Sequence, residues 1–147
     1  MKAKIVIAML MLGGCTELPI DPEGTMERVR GTKVLRAGMI ATGNEVLDPP
    51  LGHFLNLLAS DTGSRPQILP GSTETLLPML EKGKLDIVVG HLAPDTPWAT
   101  RVTILPSPQE MKTEDGEPAR AAVVRNGENA WVALVYRHAP ALKEQPR

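Results

Sequence analysis

The segment from Gly71 to Leu105, GSTETLLPMLEKGKLDIVVGHLAPDTPWATRVTIL, constrains the fold of this chain more than any other. Leu76, Met79 and Leu80 give a short amphipathic stretch that stops at Lys82-Gly83, and a nearly continuous apolar run, Leu85 to Gly90, comes directly after it. That order predicts a helix and then a buried strand. Gly83 suits the position just past a helix, where the backbone turns left-handed, and Lys82 sets positive charge near the last carbonyls. Pro78 is tolerated where a backbone N–H would lack a partner, so the helix is expected to begin near Thr75, with Thr75 or Thr73 as cap. About two turns of helix bury too little to stand alone, so it must lean on the strand after it. Ile87, Val88 and Val89 show no polar alternation, the pattern of a strand covered on both faces in a parallel sheet. After Gly90 the polarity changes abruptly, and in open parallel sheets ligands gather at the carboxyl ends of the strands. His91 to Trp98 is therefore the first place to look for a site.

The flanking sequence supplies partners for that unit. Lys33 to Ile40 reads as a first strand, and Ala41 to Pro50 is dense in turn residues and reads as a loop. Leu51, Phe54, Leu55 and Leu58 fall at i, i+3, i+4 and i+7, one face of a helix running to about Ser60. Gln67 to Pro70 is a short second strand. Strand, helix, strand, helix, strand predicts a doubly wound, mostly parallel α/β sheet with right-handed crossovers. Val102 to Leu105 adds an edge strand, and Pro106 to Pro118 is a polar, exposed connection. Ala121 to Arg125 is a strand by composition. Beyond Arg125, local rules leave two choices open: Asn126-Gly127 can start a hairpin to Trp131–Tyr136, while Trp131, Leu134, Val135 and His138 also fit one helical face capped by Asn129.

The amino terminus reads as an export signal. Lys2 and Lys4, the apolar run from Ile5 to Leu12 and the small residues before Cys15 place a signal peptide at residues 1–14. The apolar run is too short for a permanent membrane span. Cys15 is the one cysteine, so a disulfide within the chain or a cysteine-built metal cage is impossible; lipidation is expected at Cys15, with a buried core thiol as the alternative. Residues 15–32 then form a tether and residues 33–147 the domain.

Several functions find no support. A net charge of −1 makes no electrostatic case for nucleic acid. His53, His91 and His138 lack metal-type spacing, and nucleophile-elbow, P-loop and dinucleotide motifs are absent, so no metal, cofactor or enzymatic activity is expected. With 3% aromatic residues, 14 Pro and 13 Gly, the core must be aliphatic and divided into short elements.

Two sets of motifs carry resemblances. Leu12-Gly-Gly-Cys15 resembles the lipobox of bacterial lipoproteins, which implies a lipid anchor on the periplasmic side of a membrane. The run LLPMLEKGKLDIVVG, followed by APDTPWATRVTIL and, near the end, Gly127-Glu-Asn-Ala-Trp131, resembles the first lobe of the type II periplasmic solute-binding proteins, receptors of ABC importers for amino acids and other small polar solutes. The resemblance implies a C-terminal helix packed back on the lobe. It also implies a ligand site at Gly90, His91, Thr96 and Trp98, and the membrane subunits of an importer as partners. A few members are dehydratases acting on cyclohexadienyl acids, which would need an enclosed acid such as Glu74 or Asp48. The family closes two lobes on its ligand. Between Pro106 and Arg120 there is no room for the second, so the expectation is a single lobe that binds a solute weakly, or with a partner or second copy supplying the missing wall. A protein–protein interaction module or sensor domain is the alternative. The family's carboxylate-binding Arg has no counterpart here: Trp98 holds its place, and Arg101, three residues on, is expected to be solvated.

Overall fold

The computed structural model describes residues 21–41, 43, 47–111 and 116–143 of the 147. The expected signal peptide at 1–14 and Cys15 lie outside these residues. In chain order the elements are α1 (Thr25–Thr32), β1 (Val34–Ile40), α2 (Pro49–Thr62), β2 (Arg65–Gly71), α3 (Thr73–Glu81) and β3 (Ile87–Leu92). A 3-10 turn (Pro97–Thr100), β4 (Val102–Leu105), α4 (Pro108–Met111), β5 (Ala119–Arg125), α5 (Asn129–His138) and a 3-10 segment (Ala139–Lys143) complete them.

The strands form one sheet in the order β2-β1-β3-β5-β4. β1 pairs in parallel with both β2 and β3, and β5 runs antiparallel between β3 and β4. The sheet is mostly parallel and doubly wound, as the strand and helix order predicts. β4 and β5 are direct neighbours in the sheet.

Two hydrophobic layers explain the lack of alternation in the central strands. Ile87 and Val89 face one layer with Phe54, Leu55 and Leu58 of α2 and Trp131 and Val135 of α5. Val88 faces the other, with Leu76, Leu77 and Leu80 of α3. Each such fully buried aliphatic or aromatic side chain contributes about 1.5–3 kcal/mol of transfer free energy. The expected face of α2 is realised: Leu51, Phe54, Leu55 and Leu58 are all buried.

β2 is an edge strand with exposed Ile68 and Leu69. The N–H of Arg65 and the carbonyl of Gly71 both bond toward β1. In a strand alternate residues face opposite neighbours, so Pro66, Ile68 and Pro70 face outward, and two of those three have no N–H to offer. Prolines on the open side are a known way of blunting an edge against pairing with another chain.

Four expectations need correction. The stretch read as a tether is folded from Asp21 onward. Glu128, buried at the start of α5, accepts the N–H of Glu23 (2.9 Å) and Thr25 (2.9 Å), while buried Asp21 accepts those of Ala130 (2.7 Å) and Trp131 (3.1 Å). Each carboxylate thus satisfies orphan donors at the other helix's N-terminus and opposes its dipole. Burial alone would raise the pKa of Glu128. The hydrogen bonds from Thr25 and Glu23, with the charge of Arg125, outweigh it and hold the carboxyl below its ordinary value.

The second correction is at α3, which begins at Thr73 behind Ser72, so Pro78 lies inside the helix. The proline denies Glu74 a helical partner for its carbonyl, a loss outweighed by burial of Leu76, Leu77 and Leu80. Third, β3 continues past Gly90, because His91 and Leu92 pair with Arg120 and Ala119. Fourth, the C-terminal stretch is the helix that the resemblance implies rather than a hairpin, but its cap position is Glu128 in place of Asn129.

Candidate functional site

The carboxyl ends of β1, β2 and β3 lie on one rim of the sheet. There, the N-terminal turn of α3 and the segment after β3 enclose a shallow cleft of about 380 Å³, lined by Thr73, Glu74, His91, Asp95, Thr96 and Trp98 among others. The crossover brings Thr73 and Glu74 opposite residues some twenty positions later. Glu74 and Asp95 are exposed, Thr73, Thr96 and Trp98 half-buried.

Of the four residues expected to contact a ligand, His91, Thr96 and Trp98 line this cleft and Gly90 is not among its lining residues. Gly90 has a different role. A Cβ there would stand 2.6 Å from the Cβ of Ile40, so only glycine lets β1 and β3 approach this closely. Thr96 caps the 3-10 turn after it, its Oγ1 accepting the N–H of Trp98 at 3.4 Å. Trp98 packs on its inner side against the layer under α3.

Arg101 is paired and not simply solvated. It forks onto Glu81, with Nε to Oε1 at 3.0 Å and Nη2 to Oε2 at 2.6 Å, and its guanidinium carbon lies 4.5 Å from the Trp98 ring centroid. Cation–π contact and the fork together fix the Trp98 ring in place. Arg101 thereby spends the Nε–Nη2 edge of its guanidinium on Glu81.

Beside the cleft, Asp48 at the N-terminus of α2 accepts a charge-assisted bond from Arg120 Nε, and its Oδ2 lies 3.6 Å from His91 Nε2. His91 and Arg120 face each other across the β3–β5 ladder, which is what brings the three together. All three side chains keep partial exposure, at 23% for Asp48, 34% for His91 and 24% for Arg120. Neither Asp48 nor Glu74 is therefore an enclosed acid of the kind that dehydratase chemistry requires. Among the described residues, no group of three His, Cys, Asp or Glu is placed to hold a metal ion. Sequence reasoning missed Thr73 as a lining residue and named Glu74 only as an acid that dehydratase chemistry would need enclosed; a helix start just after a strand end was the available signal.

No protein-family model and no curated protein matches the sequence. Solved structures do. The first domain of TmArgBP, as a point mutant in its arginine-bound form, matches with a TM-score of 0.64 and 15% identity, over 82% of this chain and 99% of that one. The chain has the fold of a single solute-binding-protein lobe. An ancestral cationic amino acid solute-binding protein is similar with a TM-score of 0.58 and 12% identity, over 81% of this chain and 93% of that one. The substrate-binding protein of an amino acid ABC transporter gives 0.56 and 11%, over 75% and 93%. In this single lobe, the cleft between α3 and the β3–β4 segment occupies the rim where open parallel sheets hold their ligands.

Proposed function

We propose that this protein is an exported, non-enzymatic binding lobe that takes a small, cationic or zwitterionic polar solute, of the amino acid kind, in the cleft. The observation that carries the reading is the chemistry of the lining. Glu74 and Asp95 offer carboxylates to a cationic group, and Trp98, held by Arg101, offers an aromatic wall. The N-terminus of α3 offers backbone N–H groups to an acidic one. The domain of TmArgBP with this fold is described in an arginine-bound form, which supports the view that one lobe is enough to hold a solute.

One wall leaves a ligand partly hydrated, so affinity of the isolated lobe is expected to be weak, about millimolar, and to tighten when a second copy or an importer's membrane subunit covers the cleft. Export to the periplasmic side of a membrane and anchoring through a lipid on Cys15 belong to the same proposal. Lipobox-like spacing and the basic, apolar leader support them.

Titration of L-arginine, L-lysine, L-glutamate and glucose into the Cys15→Ser chain, monitored by NMR, tests the binding claim. Shifts at His91, Thr96 and Trp98 with the basic amino acids, weakened about tenfold by Glu74→Gln, are the expected result. An unchanged spectrum with all four solutes, up to tens of millimolar, would refute it.

A further inference from the structure

At the opposite end of the sheet, where β1 and β3 begin and β5 ends, a second hollow of about 180 Å³ is lined by Arg28, Arg36, Lys82 and Arg125 with Glu23 and Asp86. Its floor is a buried ion network. Asp86 accepts Arg28 Nη2, Arg36 Nη2 (2.7 Å) and the Arg36 backbone N–H (2.8 Å), and its carbonyl accepts Trp131 Nε1 (2.8 Å). Asp86 is fully satisfied by these bonds, but the cations outnumber the carboxylates around them. Four of them meet three carboxylates, since Glu128 lies beneath Arg125 at 3.7 Å and Glu23 stands 3.9 Å away at the rim.

Donor accounting sharpens the imbalance. A guanidinium carries five N–H donors in a fixed fork. Arg28 spends one nitrogen on Asp86, and Arg36 spends Nε and Nη2 on Asp86 and the Gly83 carbonyl. The Arg125 guanidinium makes no polar contact shorter than 3.4 Å among the described residues, its hydrogen bond being to Thr25 Oγ1 at that distance. Gly83 makes room for it: a Cβ at this left-handed position would stand 2.9 Å from Arg125 Nη1. Burial first, and then repulsion from neighbouring guanidinia, lowers the pKa of Arg28 and of Arg36. A bound anion would relieve that repulsion.

We propose that this hollow binds a small tetrahedral oxyanion of the phosphate class, held by Arg28, Arg36 and Arg125 with Lys82 at the rim. Three guanidinia carried by three different elements suit an ion with oxygens in several directions better than a planar carboxylate. The volume holds such an ion with a few waters. Free phosphate and the phosphodiester of a lipid headgroup share this chemistry. The site is at the other pole from the cleft and does not depend on how the cleft is read.

The test monitors the arginine Nε–H resonances of the Cys15→Ser chain while inorganic phosphate replaces chloride at constant ionic strength. Saturable shifts at Arg28, Arg36 and Arg125, with Arg101 unmoved, are expected. Affinity should fall about tenfold in Arg125→Gln and about threefold in Lys82→Gln. Lys82 is exposed, so its variant keeps the test decisive if the arginine variant folds poorly. Co-sedimentation with phosphatidylglycerol and phosphatidylcholine vesicles separates the sources. Retention on the anionic vesicles that falls in both variants identifies the lipid phosphodiester, and phosphate shifts without such retention identify the free ion. Absence of saturable phosphate shifts, together with vesicle retention that neither substitution changes, overturns the proposal.

Discussion

Replacing Gly90 with alanine puts a methyl group where Ile40 already stands. The new Cβ lies 2.6 Å from Ile40 Cβ, 3.1 Å from its Cγ1 and 3.2 Å from its Cδ1. Carbon atoms in a packed interior rest about 3.5–4.0 Å apart, so the shortfall at Cβ is about 1 Å. Rotation of the isoleucine relieves the two outer contacts, but its Cβ is fixed by the backbone of β1. The strands themselves must separate, although Met39 is in register with Val89 one residue earlier and Gly90 faces Ala121 on the other side. Overpacking of this kind costs about 1–3 kcal/mol, and with both ladders resisting the upper end is expected. Urea denaturation read by tryptophan fluorescence measures it. A double-mutant cycle then identifies the atom responsible. Adding Ile40→Ala should recover less than about 1 kcal/mol, because the offending Cβ remains. Ile40→Gly removes it and should show the larger coupling. Stability of Gly90→Ala within about 0.5 kcal/mol of the parent, or equal rescue by both second substitutions, would refute the reasoning.

Three further outcomes are expected. Glu128→Gln keeps the shape but gives up charge on two backbone bonds, a loss of about 2 kcal/mol in urea titrations. Because the Glu128 pKa is lower in the folded state than its ordinary value of 4.5, its contribution is complete above that pH and fades as pH falls through the folded value. Acid titration should therefore be shallower in the variant, and an identical profile would contradict the assignment. Arg101→Lys keeps the charge but loses the fork to Glu81; the pair is exposed, so stability should change by less than about 1 kcal/mol while solute affinity drops several-fold as Trp98 loosens. Equal affinity in parent and variant, read by the same NMR titration, would disconnect Trp98 from the site. Replacing both Pro66 and Pro70 with Thr gives the outer edge of β2 two more N–H donors, and light scattering should then detect self-association that the parent lacks.

Legibility in the sequence depended on whether neighbours in the chain or distant partners decide an element. α2 and β3 declare themselves, because Leu51, Phe54, Leu55 and Leu58 repeat at helical spacing and Ile87 to Val89 are apolar without a break. The rim after β3 was legible for the same reason, as the polarity switch at His91 comes from the strand ending nearby. α1 was not. Its buried residues are Thr25 and Val29, too few to mark a face, and the bond that starts it comes from Glu128, 103 residues away. The Arg28 and Arg36 bonds to Asp86 span 58 and 50 residues. Charges so far apart look like ordinary solvated side chains until β5 returns antiparallel beside β3 and carries Arg125 to the end where β1 and β3 begin. The C-terminal choice between helix and hairpin belongs to the same class. Local rules left it open, and the deciding contact is burial of Trp131 against the sheet, with its Nε1 bonded to the Asp86 carbonyl. The cleft combines both cases: His91 to Trp98 announce themselves by local contrast, while Glu74 acquires its place only through the crossover that sets the start of α3 against them.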